Sequence, residues 1–362
     1  MTKLKVIKNR IEKFINNILK QSIDGALLTC DESVFYFSGF KGDSTQVLIT
    51  KDKSYLFTDF RYVEQAEKQS ADILTVVETG RVERNKTIDE RLKKHKIESL
   101  GLENDHLVVS QFETYKNDLS VKKLTNISEE IKFLRAIKTS DELAIIRKAA
   151  EINDDVFLQL IKQIKTGISE KDIYSELTYL FNKRGCSHAF TPIIAGGPNS
   201  ALPHAPLTDR KIKNGDFLTI DFGAKLDAYC SDCTRTIGIG GLDSEQKKVY
   251  YIVKNAQEIS LNAAKAGIKA KDLDEVARNF ISENGYKDCF GHGLGHGVGL
   301  FIHEYPTLNP NTETVLKEGM VVTIEPGIYI KGKYGVRIED TVVIENDGIT
   351  NFNSLYKDLI II

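Results

Sequence analysis

Apolar residues recur at helical spacing over the first twenty positions, at Leu4, Ile7, Ile11, Phe14, Ile15, Ile18 and Leu19. That pattern predicts an amphipathic helix over 4–19. Short strand-like runs follow: ALLTC at 26–30, QVLIT at 46–50, SYLFT at 54–58, ILTVVE at 73–78 and SLGLE at 99–103. Polar, helix-compatible stretches separate several of them, so this part reads as a small α/β domain ending near Ser128. It carries no catalytic cluster. Packing, oligomer contacts and closing one side of a site are the duties left to it.

At Thr139 the texture changes. Thr139 with Glu142 three residues later is a capping-box signal, and it predicts a long helix running to Gly167. A second helix is predicted from Ser169 to Gly185, a third from Asp243 to Gly267, and a fourth from Lys271 to Gly285. Strands are predicted in FLTIDFG (217–223), AYCSDCTRTIGIG (228–240), VVTIEPGIYI (321–330) and GVRIEDTVVI (335–344).

This second part contains a repeat. Lys165, Gly167, Ile168, Lys171, Asp172, Gly185 and Phe190 recur, shifted by 100, as Lys265, Gly267, Ile268, Lys271, Asp272, Gly285 and Phe290. Further on, NGDFLTIDFG aligns with EGMVVTIEPG, and SDCT (231–234) with IEDT (338–341). Asp221 then faces Glu325, and Asp232 faces Glu339. Two related α/β units are expected to pack about a pseudo-twofold axis, each sending two carboxylates to the middle.

Composition narrows the field without naming a function. The 362 residues suggest two or three domains, and 41% hydrophobic with 28% charged residues is a globular balance. Forty-nine Lys and Arg against 51 Asp and Glu leave a net charge of −2, so there is no bulk electrostatic reason to bind nucleic acid or an anionic membrane. Five thinly spread cysteines suit a reducing compartment. No apolar run is long enough to span a bilayer, and MTKLKVIKNRIEKF lacks the apolar core of a signal peptide. A cytoplasmic protein is expected. Of seven histidines, five lie between residues 188 and 303 (His188, His204, His292, His296 and His303).

The chemistry is carried by acids set in apolar strands. In TIDFG, alternation turns Asp221 away from Ile220 and Phe222, and a carboxylate so placed needs a counter-charge. The short AKLD segment predicts an antiparallel hairpin bringing Asp221 and Asp232 together, and Glu325 and Glu339 repeat the arrangement. Arg235 and Arg337 are available as ordinary ion-pair partners for single acids. Four acids in one place would repel by several kcal/mol unless a cation sits among them.

The segment GHGLGHGVGLFIHE has glycine at 291, 293, 295, 297 and 299, which reads as extended backbone packed close to something. It lacks the spacing of a phosphate-binding loop, and H-E-x-x-H is absent too. Its two histidines beside the acids read as functional, with one expected as a ligand. Four carboxylates and an imidazole suit two divalent ions, with Mn²⁺ or Co²⁺ more natural than thiolate-seeking metals and Zn²⁺ possible. Two such ions about 3.5 Å apart can supply hydroxide at neutral pH and polarise a carbonyl, which implies hydrolysis.

With IDFGAKLDAYCSDCTRT, GHGLGHGVGLFIHE, IEPGIY and VRIED, the chain resembles the pita-bread metallopeptidases. Its separate N-terminal domain, with TDFRY at 58–62, makes it similar to aminopeptidase P and prolidase rather than methionine aminopeptidase. The resemblance implies an α/β (α+β) chain with a creatinase-like domain over 1–130 and a pita-bread catalytic domain over 131–362. Asp221, Asp232, His296, Glu325 and Glu339 would be the metal ligands, with Mn²⁺ the first choice and Glu325 also the general base. His204 would contact the scissile nitrogen, His303 the oxyanion, and His292 and Arg337 the proline side.

The implied substrate is a proline-containing peptide cut at the Xaa-Pro bond, and the implied assembly is a homodimer. An aminopeptidase is the first reading, a dipeptidase (prolidase) the alternative, and a non-catalytic peptide-binding module the remote one. Two departures stand out. Asp227 replaces a more usual glycine in the hairpin turn, and Cys233 follows Asp232 where an aliphatic residue is usual. Cys230 and Cys233 fall on opposite faces of a strand, which argues against a redox pair, and Cys233 is expected in the core. His95 and His188 are expected to be structural or surface residues.

Overall fold

The computed structural model describes residues 3–362, in two compact units divided between Leu134 and Arg135. In the first, helix α1 (Lys3–Leu19) precedes strand β1 (Gly25–Leu28), α2 (Asp31–Ser38), β2 (Gln46–Thr50), β3 (Ser54–Thr58), α3 (Val63–Ser70), β4 (Thr75–Glu78), α4 (Arg84–Lys94), β5 (Ser99–Leu102), α5 (Val109–Asp118) and β6 (Lys123–Asn126), and α6 (Ser128–Ala136) runs across the division. The six strands form one sheet in the order β4-β3-β2-β1-β5-β6. Pairings are antiparallel around β2 and parallel toward both edges. Leu27, Leu48, Phe57, Leu100 and Leu102 from the sheet pack on Ile88 and Leu92 of α4. The apolar runs of the sequence are these central strands. The polar β6 edge (KLTN) carries too little apolar signal to be predicted.

The second unit holds α7 (Ser140–Leu160), α8 (Glu170–Lys183), β7 (Ser187–His188), β8 (Ile193–Gly196), β9 (Phe217–Phe222), β10 (Ala224–Leu226), β11 (Tyr229–Cys230), β12 (Cys233–Gly238), α9 (Ser244–Ala263), α10 (Ala270–Ile281), β13 (Gly295–Gly297), β14 (Glu304–Leu308), β15 (Val321–Ile324), β16 (Gly327–Ile330), β17 (Tyr334–Arg337), β18 (Asp340–Glu345) and β19 (Gly348–Asn351). The capping box read from the sequence starts α7, where Glu142 N donates to Thr139 Oγ1 and Thr139 N donates back to the Glu142 carboxylate. Ser169 and Asp172 do the same for α8, and Asp243 and Gln246 for α9.

The internal repeat is present as the same hydrogen bonds made twice. Gly167 and Gly267 both adopt φ +91°, and their N–H groups donate to Ile212 O at 2.8 Å and Leu316 O at 2.9 Å. Gly215 (φ +86°) and Gly319 (φ +83°) donate to Ile239 O at 2.7 Å and Ile344 O at 2.9 Å. Each half has its own core. Phe157, Ile173, Leu177, Ile220 and Phe222 pack in the first, and Val253, Leu273, Ala277, Val322 and Ile324 in the second. The halves meet where Glu339 N donates to Thr234 O at 3.1 Å.

Several predicted elements are interrupted. The helix expected to reach Gly167 ends at Leu160: Gln163 N and Ile164 N bond three residues back, to Leu160 O and Ile161 O, and Gly167 N then pairs with Ile212 O. The helix expected to reach Gly285 is regular only to Ile281 and then widens toward Gly285, at φ +92°. Three long predicted strands are each cut in two. Asp232 N donates to Thr341 Oγ1 at 3.3 Å, Glu325 N to Leu294 O at 2.9 Å, and Glu339 N to Thr234 O, so none of these amides continues its own ladder. Pro326, lacking an N–H, reinforces the second break.

Candidate active site

Those breaks lie where the acids gather. β9 pairs antiparallel with β12, setting Thr234 opposite Asp221, so the predicted hairpin brings Asp221 beside the start of β12 and Asp232. Asp232 and Glu339 lie in the gaps before β12 and β18, and Glu325 directly follows β15. His296 lies on β13, whose register against β14 shifts after it. The glycines flanking it are sterically required. A Cβ on Gly295 would lie 2.1 Å from Thr323 O, and one on Gly297 2.5 Å from Tyr305 O. Asp221, Asp232, His296, Glu325 and Glu339 line one cleft of about 590 Å³ together with His204, His292, His303 and Arg337.

Within the cleft, Asp232, His296 and Glu339 each offer an atom within 4.8 Å of the others. His296 Nε2 is 3.6 Å from Asp232 Oδ2 and 3.4 Å from Glu325 Oε1. Its Nδ1 is 3.1 Å from Gly297 O, a carbonyl that can only accept, so the proton sits on Nδ1. Burial first, and the neighbouring His303 next, push this imidazole down to about 4. The neutral ring therefore points a bare Nε2 lone pair at two carboxylates. Asp221 Oδ1 and Asp232 Oδ1 are buried without a hydrogen-bond partner. Lone pairs converging on lone pairs, with orphaned carboxylate oxygens beside them, fit a divalent cation bound by hard donors.

The carboxyl groups carry the same signature. Burial, then the charges of Glu339, Asp221 and Glu325, hold Asp232 well above the usual range. Burial and the Glu325 and Asp221 charges do the same to Glu339. Burial lifts Glu325 to about 7 against the pull of Arg337. Asp221 is raised by burial and opposed by Arg337, whose Nη2 lies 2.6 Å from Asp221 Oδ2. So Arg337 is the counter-charge of Asp221, while Arg235 pairs with Asp340 at 2.6 Å.

Three residues of this network have no role assigned from the sequence. Thr234 Oγ1 accepts from Arg337 Nε at 3.0 Å and donates to Glu339 Oε2 at 2.6 Å. Thr323 Oγ1 donates to Glu325 Oε1 at 3.0 Å and accepts from His296 N at 3.0 Å. Tyr329 accepts from Arg337 Nη1 at 2.7 Å and lies 2.9 Å from His292 Nε2. His292 Nδ1 is 2.8 Å from Gly293 O, so Nδ1 carries the proton and Nε2 accepts from the phenol. Both His292 nitrogens are thus spent on the protein. The signal that could have found the threonines is the repeat: Thr323 matches Thr219 two residues before the paired acids Glu325 and Asp221, and Thr234 matches Thr341 two residues after Asp232 and Glu339.

His303 and His204 are exposed on the cleft wall, and the His303 ring lies 4.3 Å from that of His296. His188 is bonded to Thr178 at 2.9 Å and His95 to Tyr55 at 2.7 Å, and neither is among the residues lining the cleft. All five cysteines are free, and Cys233 is fully buried.

A repeated α/β fold closed around an acid-rich cleft defines a metallohydrolase of the pita-bread class. The chain belongs to metallopeptidase family M24, whose model matches residues 144–346, and residues 10–137 match the creatinase/prolidase N-terminal domain. It is 41% identical over 356 residues to the Xaa-Pro dipeptidase of Pyrococcus furiosus, covering 98% of this chain and 100% of that one. The structure of the Xaa-Pro dipeptidase from Bacillus anthracis superposes with a TM-score of 0.95 at 39% identity, covering 98% and 100%. That of the X-Pro aminopeptidase from Thermotoga maritima gives 0.90 at 37%, covering 97% and 99%.

Proposed function

We propose that this hydrolase cuts the Xaa-Pro peptide bond of proline-containing peptides. The observation that carries the reading is the bare His296 Nε2 facing two carboxylates, in a chain alike end to end to an Xaa-Pro dipeptidase. Asp221, Asp232, His296, Glu325 and Glu339 would hold two divalent ions, Mn²⁺ by choice of donors. When bound, such ions make water nucleophilic at neutral pH and polarise the scissile carbonyl.

The chain's own residues do the rest. Glu325 takes the proton of the attacking water, a task suited to a carboxyl lifted to about 7. His303 donates to the developing oxyanion, and His204 directs a proton to the departing nitrogen. Arg337 and the ring face of His292 flank the proline, whose amide nitrogen has no hydrogen to offer.

Cleavage that releases the first residue of longer peptides is the aminopeptidase reading. The dipeptidase reading is favoured by the two relatives known as Xaa-Pro dipeptidases. Assays on an Xaa-Pro dipeptide and an Xaa-Pro-Yaa tripeptide, with Mn²⁺ and after chelation, separate them. A rate unchanged by chelation overturns the metal role, and cleavage of the dipeptide alone selects the dipeptidase. We further infer domains over 1–130 and 131–362, a homodimer, as the family resemblance suggests, and a cytoplasmic location. Free cysteines support the last, and no described helix is long and apolar enough to cross a membrane.

A further inference from the structure

Helix α10 carries Asp274 and Arg278 one turn apart, and their ion pair is aimed at backbone. Arg278 Nε donates to Asp274 Oδ2 at 2.7 Å, and Nη2 to Oδ1 at 2.9 Å. The same guanidinium donates from Nη1 to Phe290 O at 2.9 Å and from Nη2 to His292 O at 2.8 Å. Asp274, fully buried, also accepts from Leu294 N at 2.9 Å. Residues 290, 292 and 294 are therefore gripped in sequence. Leu294 O in turn accepts from Glu325 N at 2.9 Å, and His296 lies two residues further on.

Core packing of Phe290 and Leu294 and close approach at Gly293, where a Cβ would lie 2.5 Å from Leu308 O, anchor the segment on its other side. Glycine alternates with side chains, and a Cβ on Gly291 would meet nothing within 4 Å, so crowding does not demand that glycine. The backbone at Gly291 is therefore conformationally free, and Arg278 bonds the carbonyls on either side of it. The repeat supplies an internal comparison. Shifted by 100, the clamp positions are Tyr174 and Thr178, which contact the His188 ring instead of gripping backbone. The clamp occurs only in the half whose segment carries His292 and His296.

We propose that Asp274 and Arg278 are positioning residues that lock the register of 290–296, so that His296 and Glu325 meet the metal centre. The inference rests on the proposed ligand roles of those two residues. It is tested on the full chain with Arg278→Ala and Arg278→Lys. Arg184→Ala, which removes an ion pair with Asp155 in the first half, serves as the control. Mn²⁺ titration of chelator-treated protein, kcat and KM at saturating Mn²⁺, and amide hydrogen exchange without metal are the readouts.

Both Arg278 variants should bind Mn²⁺ about 10–100-fold more weakly and lose kcat over a similar range. KM should change by less than roughly threefold, and exchange should quicken at 291–297. Lysine, whose three donors share one nitrogen and lack the planar fork of arginine, should not restore the four-acceptor grip. Wild-type Mn²⁺ affinity in the Arg278 variants, or an equal loss in Arg184→Ala, overturns the proposal. A wild-type chain that binds no Mn²⁺ overturns the functional reading instead. The clamp is then judged by exchange alone, and unchanged exchange at 291–297 overturns it.

Discussion

Arg337 Nη2 lies 2.6 Å from Asp221 Oδ2, an ion pair that joins the two halves of the internal repeat. It neutralises one oxygen of Asp221 and leaves the other, Oδ1, buried without a partner. Through Thr234 the same guanidinium also reaches Glu339 Oε2. One cation thus holds an acid from each half while leaving the centre short of positive charge.

Removing that cation should cost most when no metal is present. Arg337→Met breaks a buried pair, a change worth about 3–5 kcal/mol. Urea unfolding of chelated protein should show that loss, and Mn²⁺ should recover part of it. A loss of the same size with and without Mn²⁺ would argue against a metal among these acids.

Glu325→Gln keeps the shape of the side chain but cannot take a proton. Turnover should fall by about 100-fold or more, with KM changed far less. A turnover number equal to that of the parent chain would remove Glu325 from the role of base.

The metal-free protein should also respond to pH in a defined direction. Glu325 is raised by burial from its ordinary value of 4.5 to about 7 in the folded chain. A raised carboxyl contributes stability that is complete below about 4.5 and lost as pH rises through about 7. Divalent metal, which competes with that proton, should therefore raise the thermal midpoint more at pH 8 than at pH 5. Scans with Mn²⁺ and with chelator at each pH check it, and an equal Mn²⁺ effect at both would contradict the shift.

The hairpin between β10 and β11 is a two-residue turn, since Leu226 pairs with Tyr229. Asp227 and Ala228 have φ +48° and +75°, the geometry of a type I′ turn that favours glycine. The departure at Asp227 thus falls on a left-handed position, and Ala228 is the more strained partner. Ala228→Gly should stabilise the chain by about 1 kcal/mol, once the extra freedom of glycine is subtracted. Denaturant unfolding with an unchanged or lower midpoint would refute this.

Much of the molecule is legible in its sequence. Alternation in TIDFG places Asp221 opposite two core residues, and the capping residues Thr139, Ser169 and Asp243 place three helix starts. Local rules fail at Asp232, Glu325 and Glu339, where long apolar runs read as continuous strands. Their amides bond to the other half of the repeat or to the glycine-rich segment, and no local propensity encodes such a partner. Tyr329 is hidden for the same reason, since its importance lies in Arg337 and His292 rather than in its neighbours along the chain.

The sequence by itself determined the two-part α/β organisation, the repeat and which acids could meet, because periodicity and spacing are properties of the local chain, while the resemblance supplied the roles of the histidines. Tertiary structure decided how they meet. It set the tautomers of His292 and His296, the pairing of Arg337 with Asp221, and the hydroxyls that aim Glu325 and Glu339. Two of these contacts, Arg337 with Asp221 and Thr234 with Glu339, join atoms from over a hundred residues apart, where burial strips away water and leaves each donor and acceptor only its neighbours to satisfy it.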